Sequence, residues 1–491
     1  MCYVEDILCI ISSFLFLWNN KTSANAEFTT TIVLLVINIL NIQFRVMRNE
    51  TSVITFKKYE RKASDRKLIY GCLIFLLCTV DLVKSERFLL VFWSTFVFIA
   101  VNSFLPSVSL DLDLALSIVS FLSIYKLNYD TLGFSNDLHL KLFLYTFLLC
   151  LLFYICFVLS DKSFSYGESI LISQLSTLFL MSSLKTDLLV DSKYLLLWML
   201  FLAGKIAVIL FFIQMFMSNL ILKLLLSLVL VLFMELGTVF EANFVSIPYS
   251  VDKFLFNNHP ERQALLFSWL LACILTVVYT FYKNRTYISL KNITMYRKFY
   301  HLVILFVYIP GMLLDLDLLL LASGAMSIVF LLSTVIEAYK IQPFYQLIHK
   351  TVIQFKSSQD TGTFVLTPLY LLLGCSLPIW LDFLKNSSAT KPPISSFSGI
   401  LSVGIGDAAA SVIGSKFGRH KVFGTKKSVE GFLASVVFQC FTIFIFQCFN
   451  LYNLDCRVFA AIFIVSIAEL VTKEIDNLVL PLFMYVMLVR V

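Results

Sequence analysis

The stretch Tyr194-Leu-Leu-Leu-Trp-Met-Leu-Phe-Leu-Ala-Gly-Lys205-Ile-Ala-Val-Ile-Leu-Phe-Phe-Ile-Gln-Met-Phe-Met217 decides what kind of fold this chain can adopt. It carries a single charge, Lys205. A helix needs about 20 apolar residues to cross a hydrocarbon core roughly 30 Å thick, and this run exceeds that length. Working outward, comparable runs occupy Leu142–Leu159, Leu220–Leu236 and Ala264–Tyr282. The whole chain of 491 residues is 59% hydrophobic and 14% charged, with a mean hydropathy of +0.88. Soluble domains average about 45–50% apolar and about 25% charged residues, so there is too little polar surface here to face water. The reading is an all-α polytopic membrane protein with about fifteen transmembrane helices.

The 11 cysteines are scattered, many inside apolar runs (Cys72, Cys78, Cys150, Cys156, Cys273), and none forms a C-x-x-C pair. They read as small buried hydrophobes, not as a zinc site or a disulfide framework. The net charge of +7 gathers between apolar runs, at Lys57–Lys67, Lys283–Lys298 and Lys416–Lys427. Such clusters mark cytoplasmic loops of membrane proteins. With no soluble aromatic-rich domain around them, nucleic acid is excluded as a partner. The apolar Ile7–Trp18 lacks a basic leader and a small-residue cleavage site, and reads as a first anchor.

Texture divides the chain into a multi-span N-terminal region, 1–282, and a C-terminal region, 283–491. The first is mostly Leu, Phe, Ile and Val, with isolated charges at Asp81, Asp111, Asp113, Lys205 and Glu235. Ionisable residues inside spans are functional candidates by default, although Asp111 and Asp113 also suit a helix end among headgroups. No chemistry attaches to Glu235. In the second region the expected spans are His301–Leu320, Leu321–Glu337, Thr363–Leu381, Ile394–Ile413, Val429–Phe449 and Val458–Thr472. Followed in turn, they bring the polar clusters 297–301, 337–360, 407–431 and 473–477 to one membrane face. The basic loops identify that face as cytosolic.

The richest of these clusters is Gly404-Ile-Gly406-Asp407-Ala-Ala-Ala410-Ser411-Val-Ile-Gly414-Ser-Lys416-Phe-Gly418-Arg-His-Lys-Val-Phe-Gly424-Thr425-Lys426-Lys427-Ser-Val-Glu430-Gly431. An acid at the end of an apolar span leads into glycines and cations. Glycine lets main-chain N–H groups approach an anion, and lysines supply charge for phosphates. Asp407 among cations suggests Mg²⁺, which binds one or two carboxylates together with substrate phosphates. A small-residue packing face accounts for Ala408–Ser411, and a solvated positive loop for Arg419–Lys427. Neither explains an intramembrane Asp running directly into glycines and paired lysines. The spacing is not that of a Walker A loop.

The pattern D-x-x-A-x-x-x-G-x-x-x-G-x-x-x-x-x-x-T-K-K-x-x-E-G, filled by Asp407, Ala410, Gly414, Gly418, Thr425, Lys426, Lys427, Glu430 and Gly431, resembles the CTP-binding segment of the polyprenol kinase family. That family comprises CTP-dependent kinases of lipid alcohols such as dolichol, phytol and diacylglycerol. Arg297-Lys298-Phe-Tyr-His301, Glu337 near Lys340, and Glu469 with Ile475-Asp476-Asn477-Leu478 and Pro481 extend the likeness over about residues 295–485. The segment before the Thr363 span departs from the family's more charged pattern, which leaves Asp360 without a role.

The resemblance implies transfer of the γ-phosphate of CTP to a lipid hydroxyl in the endoplasmic reticulum membrane, with the site loops facing the cytosol. The long N-terminal region and the I-D-N-L-x-L-P ending favour dolichol as acceptor, in the service of protein glycosylation. Asp407 would hold Mg²⁺, with Glu430 as a second ligand or as the support of Lys427. Lys426 and Lys427 would bind the triphosphate, with Gly404, Gly406, Ala410, Ser411, Gly414, Lys416, Gly418, Gly424, Thr425, Gly431, Arg297 and Lys298 around it. His301 or Asp476 would take the hydroxyl proton. Two other readings stand beside this one: a cytidylyltransferase acting on phosphatidate, and a transporter. The transporter would need polar residues along several spans and an inverted repeat, and neither is visible. Of the sequons at Asn20, Asn49, Asn284, Asn292 and Asn386, only Asn386 falls in a loop that this topology places in the lumen among the C-terminal spans.

Overall fold

In the computed structural model the residues described are 145, 148–153, 155–156, 163–182, 260–284, 290–352, 356, 360, 362–385, 391–422, 427–449, 451–452, 455–471 and 476–489. Asp81, Asp111, Asp113, Lys205, Glu235 and the Tyr194–Met217 run lie outside them, so the described residues do not bear on the count of about fifteen spans. Every element of length among the described residues is helical: α1 (Tyr166–Ser182), α2 (Pro260–Asn284), α3 (Leu290–Leu314), α4 (Leu316–Tyr339), α5 (Tyr345–Val352) and α6 (Thr367–Lys385). A 3₁₀ turn (Ile394–Phe397) and a π-helical segment (Ile400–Asp407) then lead into α7 (Ala408–Phe417). The fold closes with α8 (Val429–Cys448), α9 (Cys456–Val471) and α10 (Asp476–Leu488). Among the described residues four stretches are long and apolar enough to cross a membrane: Leu316–Tyr339, Thr367–Leu384, Ile394–Phe417 and Val429–Cys448.

Polar residues start these helices because their side chains satisfy the orphan N–H groups of a first turn. Ser165 and Glu168 bond reciprocally to each other's amides at 3.2 and 3.1 Å, a capping box for α1. Asp315 accepts the Leu318 amide at 2.9 Å and is gripped by the Arg262 guanidinium from α2. The break between α3 and α4 therefore falls at Asp315, not near Leu320, where the apolar run alone would place it. Asp360 accepts the Leu366 amide at 3.0 Å and the Thr367 hydroxyl at 2.6 Å, opening α6. The role missing for Asp360 is that of a buried cap.

The packing is that of a membrane bundle. On α8, Leu433, Val437, Phe441 and Phe444 face outward, while Ser435 and Gln439 face inward. Without a hydrophobic drive between helices in lipid, small residues and interhelical hydrogen bonds hold them together. Tyr308 and Ser376 join α3 to α6 at 2.5 Å, and Trp380 donates to Ser323 of α4 at 3.0 Å. At Gly374 the elements come closest: a Cβ there would lie 1.9 Å from the Asn477 carbonyl of α10, and a Cβ at Gly399 would lie 2.4 Å from the Gly374 carbonyl.

These contacts order the bundle's two ends. Tyr339 packs edge-on to Phe364 at 6.0 Å, so the exit of α4 meets the entrance of α6. With Gly399 level with Gly374, the π-helical segment runs back toward that same end, which therefore carries Asp407. The opposite end holds Arg262 with Asp315, and Tyr452 with the Pro392 carbonyl. Asn477 opposite Gly374 puts the start of α10 seven residues along α6, roughly 10 Å inside the bundle. Asp476 thus begins a short inserted helix and does not lie at the end itself. Leu149, Phe153, Ile170 and Leu178, together with Leu265 and Trp269 of α2, share one apolar core with residues of α3, α4, α6, α8, α9 and α10.

Candidate functional site

His301 and Asp407 come from elements more than a hundred residues apart and meet inside the bundle. His301 lies midway along α3, buried, and its Nδ1 is 3.1 Å from the Val403 carbonyl. A carbonyl only accepts, so Nδ1 carries the proton, and in the neutral ring Nε2 presents its lone pair. That Nε2 lies 3.9 Å from Asp407 Oδ2. The separation is beyond hydrogen-bond range and close enough for one further atom to reach both.

Asp407 owes its place to the π-helical segment that ends on it. Such widened turns are uncommon and often sit at functional sites. Gly404 and Gly406 let it nest against its neighbours: a Cβ at Gly404 would lie 2.7 Å from Leu305 Cδ2, and one at Gly406 2.5 Å from Gln439 Nε2.

Beyond Asp407, α7 packs antiparallel to α8 through a small-residue seam. Cβ atoms at Gly414, Gly418 and Gly431 would all crowd Ser428 Oγ, at 2.9, 2.5 and 3.3 Å. Ser428 caps α8 through the Gly431 amide at 3.2 Å, and the Gly418 amide already bonds the Gly414 carbonyl. These glycines therefore serve helix contact. Between the two helices the chain forms the base of a hairpin, joined by the Lys421–Ser428 bridge and by Val422 N–H to the Lys427 carbonyl at 3.0 Å. Gly424, Thr425 and Lys426, between Val422 and Lys427 in sequence, lie outside the described residues. Glu430 fastens the hairpin base, accepting the His420 amide at 3.0 Å and facing His420 Nδ1 at 2.7 Å. Lys427 turns its ammonium to the Glu469 carbonyl of α9.

The remaining expected residues take separate places. Arg297 and Lys298 lie on α3 one turn before His301. Ala410 and Ser411 lie on α7, where a Cβ at Gly431 would come 2.8 Å from the Ala410 carbonyl. Lys416 is exposed near the end of α7. Asp476 accepts the amide of its neighbour Asn477 at 3.0 Å. Glu337 pairs with His349 at 2.7 Å, which ties α5 to α4. Asp407 is a hard oxygen donor that fits Mg²⁺, and among the described residues no three His, Cys, Asp or Glu side chains form a cage. A Mg²⁺ bound through a carboxylate and substrate phosphates needs no cage.

Sequence reading alone overlooks several polar residues inside apolar helices. Ser435, Gln439 and Ser466 line the α8–α9 seam, and Asp382, Ser395, Ser396 and Tyr485 form a second buried cluster at the other end. The available signal is a polar residue within a span, the same one that singles out Asp407.

Apolar spans around a buried acid–imidazole pair, with a lysine-bearing hairpin at the same end, define a membrane-embedded protein with a polar centre suited to a charged group. In sequence the chain is similar to dolichol kinases. It is 33% identical to the dolichol kinase of Mus musculus over 252 residues, 48% of this chain and 46% of that protein. It is 33% identical to that of Homo sapiens over 249 residues, with the same coverage of each. To the dolichol kinase of Saccharomyces cerevisiae it is 30% identical over 177 residues, 36% of this chain and 31% of that protein. The chain thus spans about half the length of the curated relatives it matches, or less. No family model matches the chain, and no solved structure does.

Proposed function

We propose that this chain is a dolichol kinase of the endoplasmic reticulum, a protein of about fifteen spans that transfers the γ-phosphate of CTP to dolichol with its site loops toward the cytosol. The single observation that carries the reading is the His301–Asp407 pair, buried at the end of the bundle that also presents Lys427. Similarity to dolichol kinases supplies the lipid alcohol. CTP as donor rests on the motif from Asp407 to Gly431.

Phosphoryl transfer depends mainly on positioning and on neutralising charge. His301, its tautomer set by the Val403 carbonyl, would take the hydroxyl proton on Nε2. An oxygen at about 2.8 Å from both Nε2 and Asp407 fits the gap between them. Asp407 would hold Mg²⁺, which supplies positive charge to the phosphates. Lys426 and Lys427 would draw the triphosphate to the hairpin, and Glu430 would keep the hairpin closed through His420. Asp476, inside the bundle, is the second candidate for the proton. The N-terminal region would hold part of the long isoprenoid.

The test uses the purified full chain in detergent with Mg²⁺, γ-labelled CTP, and dolichol, diacylglycerol or phytol supplied separately. Label in dolichol with release of CDP is the expected result. Label only in another alcohol would replace the acceptor. Pyrophosphate released with phosphatidate, and no labelled lipid, would make the protein a cytidylyltransferase.

A further inference from the structure

Beside the His301–Asp407 pair a polar strip runs along the seam of α8 and α9. Ser435 donates to Glu469 Oε2 at 3.2 Å, and Gln439 Nε2 donates to Ser435 Oγ at 2.9 Å and to Ser466 Oγ at 3.2 Å. All four residues are buried, Gln439 to 1% and Glu469 to 6% exposure. A carboxylate and a carboxamide are costly in the interior of a lipid-facing bundle, and ionisable residues there mark function by default.

The strip touches the site at two points. At one, the Lys427 ammonium donates to the main-chain carbonyl of Glu469. That carbonyl belongs to the last turn of α9, where unpaired C=O groups and the helix dipole favour a cation. At the other, Gly406 packs on Gln439 and Ser435, with room for no Cβ, and Asp407 is the next residue. Lys427 and Asp407 arrive from opposite ends of the motif, one from the hairpin and one from the π-helical segment. The Glu469–Ser435–Gln439 strip is a continuous path of short contacts between the two.

We infer that Ser435, Gln439 and Glu469 are positioning residues that fix Lys427 relative to Asp407, so that the lysine charge and the acid address the same phosphate chain. The inference rests on the kinase reading above. Its physical basis is that an error near 1 Å between groups acting on one phosphoryl transfer costs as much as about 10²-fold in rate. A strip that only glued two helices together would affect stability and leave the nucleotide site alone.

The experiment is a double-mutant cycle on the full chain, reading kcat and KM for CTP with dolichol as acceptor, alongside the thermal midpoint of each variant. Ser435→Ala and Glu469→Gln are introduced singly and each together with Lys427→Met. Each single change should raise the KM for CTP by about tenfold, and in the Lys427→Met background the same change should add less than about twofold, because no lysine remains to be placed. Equal effects in both backgrounds would overturn the inference, as would losses that follow the thermal midpoint alone. The wild-type arm separates the two claims: absence of label transfer from CTP would defeat the kinase reading itself, and the positioning role would fall with it.

Discussion

At one end of the bundle Asp382 accepts the hydroxyls of Ser395, Ser396 and Tyr485 at 2.8, 2.6 and 2.7 Å. At the other, Asp407 faces His301 across 3.9 Å. Both acids are buried in apolar helices, so both carry a desolvation cost that something must offset. Around Asp382 three hydroxyl donors come from two segments, and the result is a lock between α6, the 3₁₀ turn and α10. Between Asp407 and His301 the separation of 3.9 Å lets one further atom reach both. Burial of an acid therefore does not separate a structural from a chemical role, whereas the groups opposite it do: hydroxyls that only bind it, or an imidazole that can also carry a proton.

The sharpest break of this contrast is Asp407→Asn. It should lower label transfer to dolichol by about 10³-fold at unchanged protein level, the scale of removing one preorganised charge from a reacting centre. His301→Gln should cost about 10²-fold in kcat, near the lower end for a general base, with the KM for CTP little changed. At the other end, Tyr485→Phe should lower thermal stability by about 2 kcal/mol through one lost hydrogen bond to a buried carboxylate, while kcat per folded molecule stays close to wild type. The smallest effect is expected for Asp360→Ala, which removes the cap of α6 and should cost about 1 kcal/mol in unfolding with no change in KM for CTP.

Much of the architecture is legible in the sequence, because a run such as Thr367–Leu384 is too apolar for any other solution. Limits of spans are legible only where a cap is weighed against hydropathy. Asp315 sits in a leucine-rich run, and its grip on Arg262 and the Leu318 amide ends one helix and starts the next. Asp407 is legible as an acid among glycines, and His301 as its distant companion only through a motif. The glycines read as anion-approaching, and the contact the structure shows at Gly414, Gly418 and Gly431 is close packing on Ser428. Spacing reports that a backbone must come close, not what it comes close to. The Asp382 lock and the Glu469 strip depend on which helices adjoin, which no local pattern encodes.

The most direct test compares the two acids side by side. Wild type, Asp407→Asn and Asp382→Asn are purified in the same detergent, and transfer of label from γ-labelled CTP to dolichol is measured per mole of folded protein. The account predicts that Asp407→Asn folds and transfers almost nothing, while Asp382→Asn unfolds at lower temperature yet transfers at close to the wild-type rate. Full activity in Asp407→Asn, or equal loss per folded molecule in both variants, would contradict it.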